Sequence, residues 1–157
     1  MLLTPHILVG ATVGVVAQDP VVGFLGGVAS HFVLDAITHT DPGTWHFDEP
    51  FPQKLDERDL TVGFTDAAVA FFSFLLLAGV APLVAPGPLA GALGGLLPDV
   101  IGLAPLFIPK LATVKGLDRY YAFTHRIHRT APPSKWLLGI FTQIIVIGFA
   151  VWYLLGS

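Results

Sequence analysis

The chain has 157 residues, of which 54 % are apolar and 12 % charged, with a formal net charge of −3 and a mean hydropathy of +0.73. A soluble domain carries about 25 % charged residues, so these values exclude an ordinary soluble fold and point to an integral membrane protein of single-domain size. The lack of cysteine excludes disulfides and thiolate metal sites, and the lack of a basic stripe excludes a nucleic-acid partner.

Apolar segments at 2–17, 21–38, 64–84, 89–108 and 136–155 predict an all-α polytopic bundle of about five transmembrane helices. One membrane domain, 1–157, then divides into a hairpin 1–39, a cytoplasmic loop 40–63, a second hairpin 64–108, an interfacial segment 109–135 and a final helix 136–155. The first two segments are shorter than the roughly 20 residues a span requires and would thin the bilayer or sit partly in its interface. The opening lacks the basic stretch of a signal peptide, so it is expected to be a span rather than a cleaved leader.

Loops 18–20 and 85–88 contain no Lys or Arg. Lys54 and Arg58 fall in 40–63, and Lys110, Lys115, Arg119, Arg126, Arg129 and Lys135 fall in 109–135. All eight basic residues therefore share one side, which the positive-inside rule makes cytoplasmic, with the N-terminus inside and the C-terminus outside.

The hairpins carry an apparent repeat. Pro20, Gly23, Gly26 and Gly27 align with Pro88, Gly91, Gly94 and Gly95, the same register sets His31 on Asp99, and His6 corresponds approximately to Asp66. Chance likeness between two glycine-rich helices is the alternative, and the polar match argues for duplication. The small-xxx-small spacing of these glycines allows close helix approach.

Within Ser30 to Asp41, His31 and Asp35 are four residues apart and share a helical face, and His39 is expected to continue it one turn on. An imidazole and a carboxylate on one face make a ligand pair for a divalent cation, or a buried hydrogen bond that pins two helices. Asp99 lies deep in an apolar segment, where a carboxylate costs roughly 2.5–3.5 kcal/mol on insertion scales. It reads as a metal ligand, a proton carrier or a helix-pairing group. His125 and His128 are three apart, and Arg126 and Arg129 form a second pair whose planar forks suit phosphate or anchor the chain at headgroups.

Elsewhere, the acidic residues of 40–63 (Asp41, Asp48, Glu49, Asp56, Glu57 and Asp59) read as solvent-facing, in a loop partly ordered by Trp45, Phe47 and Phe51. His46 reads as a surface or lid residue. Segment 109–123, with Tyr120 and Tyr121, reads as an interfacial amphipathic helix, and Gln143 as an interhelical hydrogen-bond donor.

Thr-Pro-His-Ile within a small-residue helix (4–14), Ser-His-Phe-Val-Leu-Asp-Ala-Ile-Thr-His (30–39), Gly-Gly-Leu-Leu-Pro-Asp-Val-Ile-Gly (94–102) and His-Arg-Ile-His-Arg (125–129) occur in that order. Together they resemble the LexA-binding, inner membrane-associated hydrolases, small membrane-bound proteins to which metal-dependent hydrolysis is attributed. That family usually carries a further acidic or His residue just after the Pro-Asp pair. Here Val100, Ile101 and Gly102 follow, and that ligand has no counterpart.

The expected metal ligands are His6, His31, Asp35, Asp99, His125 and His128, holding Zn²⁺, Mn²⁺ or Fe²⁺ near the cytoplasmic face. Asp35 or Asp66 is the expected proton acceptor, with Arg126 beside the reacting group. The arginines favour a phosphoester, and the leaflet boundary favours a lipid or lipid-linked one. Two other classes stand beside this reading: a metal-ion or proton transporter, which should open to both faces, and a non-catalytic membrane adaptor with a structural metal.

Overall fold

The computed structural model describes residues 1–48 and 56–156. Among the described residues the chain is all-helical, with six α-helices: α1 Leu3–Ala17, α2 Pro20–Asp35, α3 Glu57–Ala78, α4 Pro86–Phe107, α5 Leu117–Ile127 and α6 Trp136–Leu155. Local chemistry sets several of these ends. The Asp19 carboxylate accepts from the Val21 and Val22 amides at 2.9 and 2.8 Å, and Pro20 opens α2 without forfeiting a donor. Asp56 caps α3 by accepting from the Asp59 amide at 2.9 Å. This cap lies upstream of the apolar run, which is why α3 begins seven residues before the predicted Phe64.

Three stretches are long and apolar enough to cross a membrane: Glu57–Ala78, Pro86–Pro105 and Pro133–Leu155. Their outward faces expose Phe64, Phe71, Leu76, Ile144, Phe149 and Trp152, the surface expected against hydrocarbon rather than water. α1 and α2 are shorter, at 15 and 16 residues.

α1 packs against α2 and α4, and also against α3 and α6. Leu8 and Ala11 from α1, Leu77 from α3, Ala92 from α4 and Ala150 and Leu154 from α6 form the apolar core. Between α1, α2 and α4 the contact is backbone on backbone. A Cβ at Gly10 or Gly27 would collide with the Gly91 carbonyl oxygen, and one at Gly95 with the carbonyl oxygen of His6. Such helices gain dispersion and Cα–H···O contacts that any side chain would abolish.

α4 continues through Pro98 and Pro105. Tyr120 and Tyr121 of α5 donate their hydroxyls to the carbonyls of Pro98 and Gly102, at 2.6 and 2.9 Å, and the Phe123 ring meets Phe32 of α2 edge-on at 5.2 Å. α5 is thus fastened across α2 and α4.

The segment after α2 differs from the expected solvated loop. α2 stops at Asp35, a turn at Ala36 and a bend at Ile37 lead to a bridge residue at His39, and a 3₁₀ turn follows at Pro42–His46. Thr40, Asp41, Thr44 and Asp59 are buried, while Asp48, Asp56 and Glu57 are exposed. The burial of Thr40 has a cause in α6. Gln143 donates to the Thr40 carbonyl at 2.8 Å and accepts from the Leu2 amide at 2.9 Å, and Gly139 leaves room for Thr40 to lie against the helix. Glu49, Phe51 and Lys54, which belong to the same reading of the loop, lie outside the described residues.

Replacing Gly91 by Leu should separate α1, α2 and α4 and cost at least about 3 kcal/mol, since the added carbons meet rigid backbone. Gly148→Ala, where a Cβ meets nothing within 4 Å, should be neutral or stabilise α6 by about 0.5–1 kcal/mol. Thermal unfolding of both variants in detergent, followed by circular dichroism, measures the contrast.

Candidate metal centre

His6 lies in the first turns of α1 and is fully buried. Its ring stacks on that of His31 from α2, with centroids 3.9 Å apart and planes 22° apart. One turn along α2, Asp35 presents Oδ1 at 3.2 Å from His6 Nε2 and Oδ2 at 3.2 Å from His31 Nε2. The Met1 α-amine also reaches Asp35 Oδ1. Asp99 from α4 brings Oδ1 to 3.8 Å from His31 Nε2. His31 Nδ1 is 2.9 Å from the Gly95 carbonyl, to which it donates, and Nε2 is left facing the carboxylates. Among the described residues neither ring nitrogen of His6 has a hydrogen-bond partner.

A second group adjoins the first through Asp35. After α2 ends, His39 pairs with Thr130 in a parallel bridge: the His39 amide donates to the Arg129 carbonyl at 3.2 Å, and the Ala131 amide to the His39 carbonyl at 2.7 Å. The Arg129 amide also donates to the Asp35 carbonyl at 2.8 Å. These bonds hold His128 beside His39 and Asp41. His39 Nε2 and His128 Nε2 lie 2.9 Å apart, and 2.9 and 2.6 Å from Asp41 Oδ2, which also accepts from the Thr130 hydroxyl at 3.0 Å. His39 Nδ1 donates to the Ile37 carbonyl at 2.7 Å, again leaving Nε2 for the site. His128 Nδ1 is 3.2 Å from Asp35 Oδ2.

Burial lowers the His39 pKa. In Asp41 burial acts upward, but hydrogen bonds to His128 and His39 outweigh it and hold the carboxyl well below its usual range. In His128 burial opposes protonation, yet the Asp35 and Asp41 carboxylates raise the imidazole to about 9. Without a metal, the two carboxylates on either side of His128 favour its charged form.

Donor atoms of His6, His31 and Asp99, and those of Asp35, His39 and His128, converge to within 4.8 Å of one another in each group. Zn–N bonds of about 2.0–2.1 Å set the donors of one tetrahedron roughly 3.3 Å apart. Within these groups His128 Nδ1 lies 3.2 Å from Asp35 Oδ2 and His31 Nε2 lies 3.8 Å from Asp99 Oδ1, close to that value. Buried imidazoles whose second nitrogen is tied to a carbonyl, as in His31 and His39, beside carboxylates, fit a divalent cation. A third group, His46, Asp56 and Asp59, is accounted for by helix capping. The Asp56 and Asp59 side chains accept each other's backbone amides at 2.9 Å, and His46 Nε2 lies 2.8 Å from Asp59 Oδ2, joining the 3₁₀ turn to α3.

Of the residues read from the sequence, the fold gathers His6, His31, Asp35, Asp99 and His128. His125 is exposed on α5 and stands outside these groups. Asp66 serves the fold instead. It accepts from the Leu3 and Thr4 amides and from the Thr4 hydroxyl, and so caps α1 from the side of α3. Arg126 is exposed and lines a cavity of ≈410 Å³ with Ala36, Phe123, Ile127 and Arg129. His39 reaches the site, but from an isolated bridge beyond the end of α2 rather than along the helical stripe. Asp41, read as a solvated charge, is a missed donor. The signal for both was the β-branched Ile37-Thr38 pair ahead of Thr40-Asp41-Pro42, which disfavours further helix.

Comparison with family models, with curated proteins and with solved structures found no match.

Asp66→Ala should destabilise the fold by about 1–2 kcal/mol through the loss of the α1 cap while leaving metal content unchanged. Asp66→Asn, which keeps one acceptor, should recover part of that loss. Unfolding midpoints and elemental analysis read the two effects separately.

Proposed function

We propose that the chain is an integral membrane metal-dependent hydrolase, with its site at the cytoplasmic end of a five-span bundle derived from two repeated hairpins. The observation that carries this reading is the tautomeric arrangement of His31 and His39. Each donates Nδ1–H to a backbone carbonyl and turns Nε2 toward carboxylates inside a buried polar cluster. His6, His31, Asp35 and Asp99 would hold a cation on one side of Asp35, and His39, Asp41 and His128 offer donors on the other. Zn²⁺, Mn²⁺ and Fe²⁺ all suit this nitrogen and oxygen set. A divalent metal held there would lower the pKa of a coordinated water and polarise the scissile group.

The protein side chains divide the remaining work. Asp35 faces three imidazoles and so orients them. Asp99 and His128 form the accessible rim, with side-chain exposures of 29 % and 30 % against 7 % for Asp35 and 9 % for Asp41. Asp99 is the carboxylate with room to take a proton from solvent or substrate, a part that the sequence alone gives to Asp35 or Asp66. The partial exposure of Asp99 and His128 supports a site with an accessible position over a closed structural one, in which every position is taken by protein. The motif resemblance to membrane-bound metal-dependent hydrolases points the same way, and the one-sided basic residues support the inward orientation of the N-terminus.

Elemental analysis of wild type, His31→Ala and Asp99→Ala tests the centre. Wild type should retain a divalent metal and both variants should lose most of it; retention in both would leave these residues as helix-pinning polar groups. Orientation is read with single cysteines in this cysteine-free chain. Gly156→Cys should react with an impermeant maleimide in intact cells and Lys115→Cys only after permeabilisation, and the reverse pattern would invert the topology.

A further inference from the structure

Val22, Leu25, Ala29, Val33 and Ala36 are all exposed and recur at intervals of three and four residues, so they form one stripe along α2. The stripe ends at Ala36, where it enters the ≈410 Å³ cavity lined also by Phe123, Ile127, Arg126 and Arg129. Three of these lining residues are chain neighbours of candidate metal ligands: Ala36 follows Asp35, and Ile127 and Arg129 flank His128. Among the described residues neither guanidinium makes an ion pair, which leaves both forks for a ligand. α5 is held in place by its tyrosine hydroxyls on α4 and by Phe123 against Phe32, so this wall of the cavity is braced.

An apolar track leading to a pair of unpaired guanidiniums is the pattern of an amphiphile with an anionic head. We propose that this cavity seats the phosphate of an inner-leaflet lipid, with Arg126 and Arg129 on the phosphate oxygens and the acyl chains along the α2 stripe. This rests on the hydrolase reading and names its substrate class, a phosphate ester of a membrane lipid that enters sideways from the bilayer. Arginine matches phosphate with two parallel N–H···O bonds, and the inner leaflet is the anionic one. Hydrolysis would join water oxygen to phosphorus and break one P–O ester bond. One water proton would go to the departing alcohol oxygen, and the other would stay on the new phosphate hydroxyl or pass to solvent.

The test compares retention of dioleoyl phosphatidic acid, dioleoylglycerol and inorganic phosphate by the full chain, using native mass spectrometry from detergent micelles, with metal content measured on the same samples. Wild type should retain phosphatidic acid in preference to dioleoylglycerol. Arg126→Gln/Arg129→Gln should lose that retention at least tenfold with metal content and melting temperature unchanged, and Ala36→Phe, which obstructs the end of the track without altering charge, should lower it as well. Equal retention of phosphatidic acid by the arginine variant overturns the seat. So does inorganic phosphate held as strongly as phosphatidic acid, since the acyl chains would then contribute nothing. Wild type that retains phosphatidic acid through the arginines but holds no metal overturns the hydrolase reading alone.

Discussion

The rest of the architecture depends on the backbone contact among α1, α2 and α4. Gly10, Gly27 and Gly95 sit where an added Cβ would strike a neighbouring carbonyl oxygen. Each lies one turn from a polar residue of the site: His6 is four residues before Gly10, His31 four after Gly27 and Asp99 four after Gly95. A four-residue step advances about 6 Å along the axis and turns about 40°, so a side chain one turn beyond a tight contact still faces the neighbouring helix. The same glycines that bring the helices to minimum separation therefore direct one imidazole from α1, another from α2 and a carboxylate from α4 into a common space. Bulkier interface residues would spread these donors beyond the reach of one ion.

Bringing them together has an electrostatic cost that the cluster's own composition offsets. A carboxylate such as Asp35, removed from water, loses several kcal/mol of hydration unless partners restore it. Asp35 is met by His6, His31, His128 and the Met1 amine. Asp41 is met by His39, His128 and Thr130. The raised pKa of His128 expresses this compensation. A divalent cation would supply the same positive charge at shorter range and displace the His128 proton, so metal and proton would compete to neutralise the same carboxylates.

Much of this was legible in the sequence because it is periodic. The apolar runs announced the long helices, the aligned glycines marked the faces that touch, and the four-residue step from His31 to Asp35 foretold a shared face. The less legible parts are those in which distant segments meet without periodicity. Nothing near His39 announces a bridge to Thr130, ninety-one residues away; Ile37 and Thr38 signal only that the helix ends. Asp41 looked solvated because its loop is acidic; its burial depends on Gln143 and Gly139 of the last helix holding Thr40. Asp66 was matched to His6 by alignment alone, yet its carboxylate is engaged by the amides that open α1.

The division of labour between helices and connecting segments explains why such a cluster suits a membrane boundary. Donors on α1, α2 and α4 come from backbones whose hydrogen bonds are satisfied internally, as a hydrocarbon setting requires. Donors from 39, 41 and 128 lie on irregular backbone, which needs water or protein partners, and the His39–Thr130 bridge provides them. The cluster thus has a rigid side fixed by helix packing and a second side hung from α6 and α5. Asp99 and His128, its most accessible members, come one from each side. Charges at such a boundary interact more strongly than in bulk water yet remain within reach of a proton donor, a combination that neither the bilayer core nor an exposed loop offers.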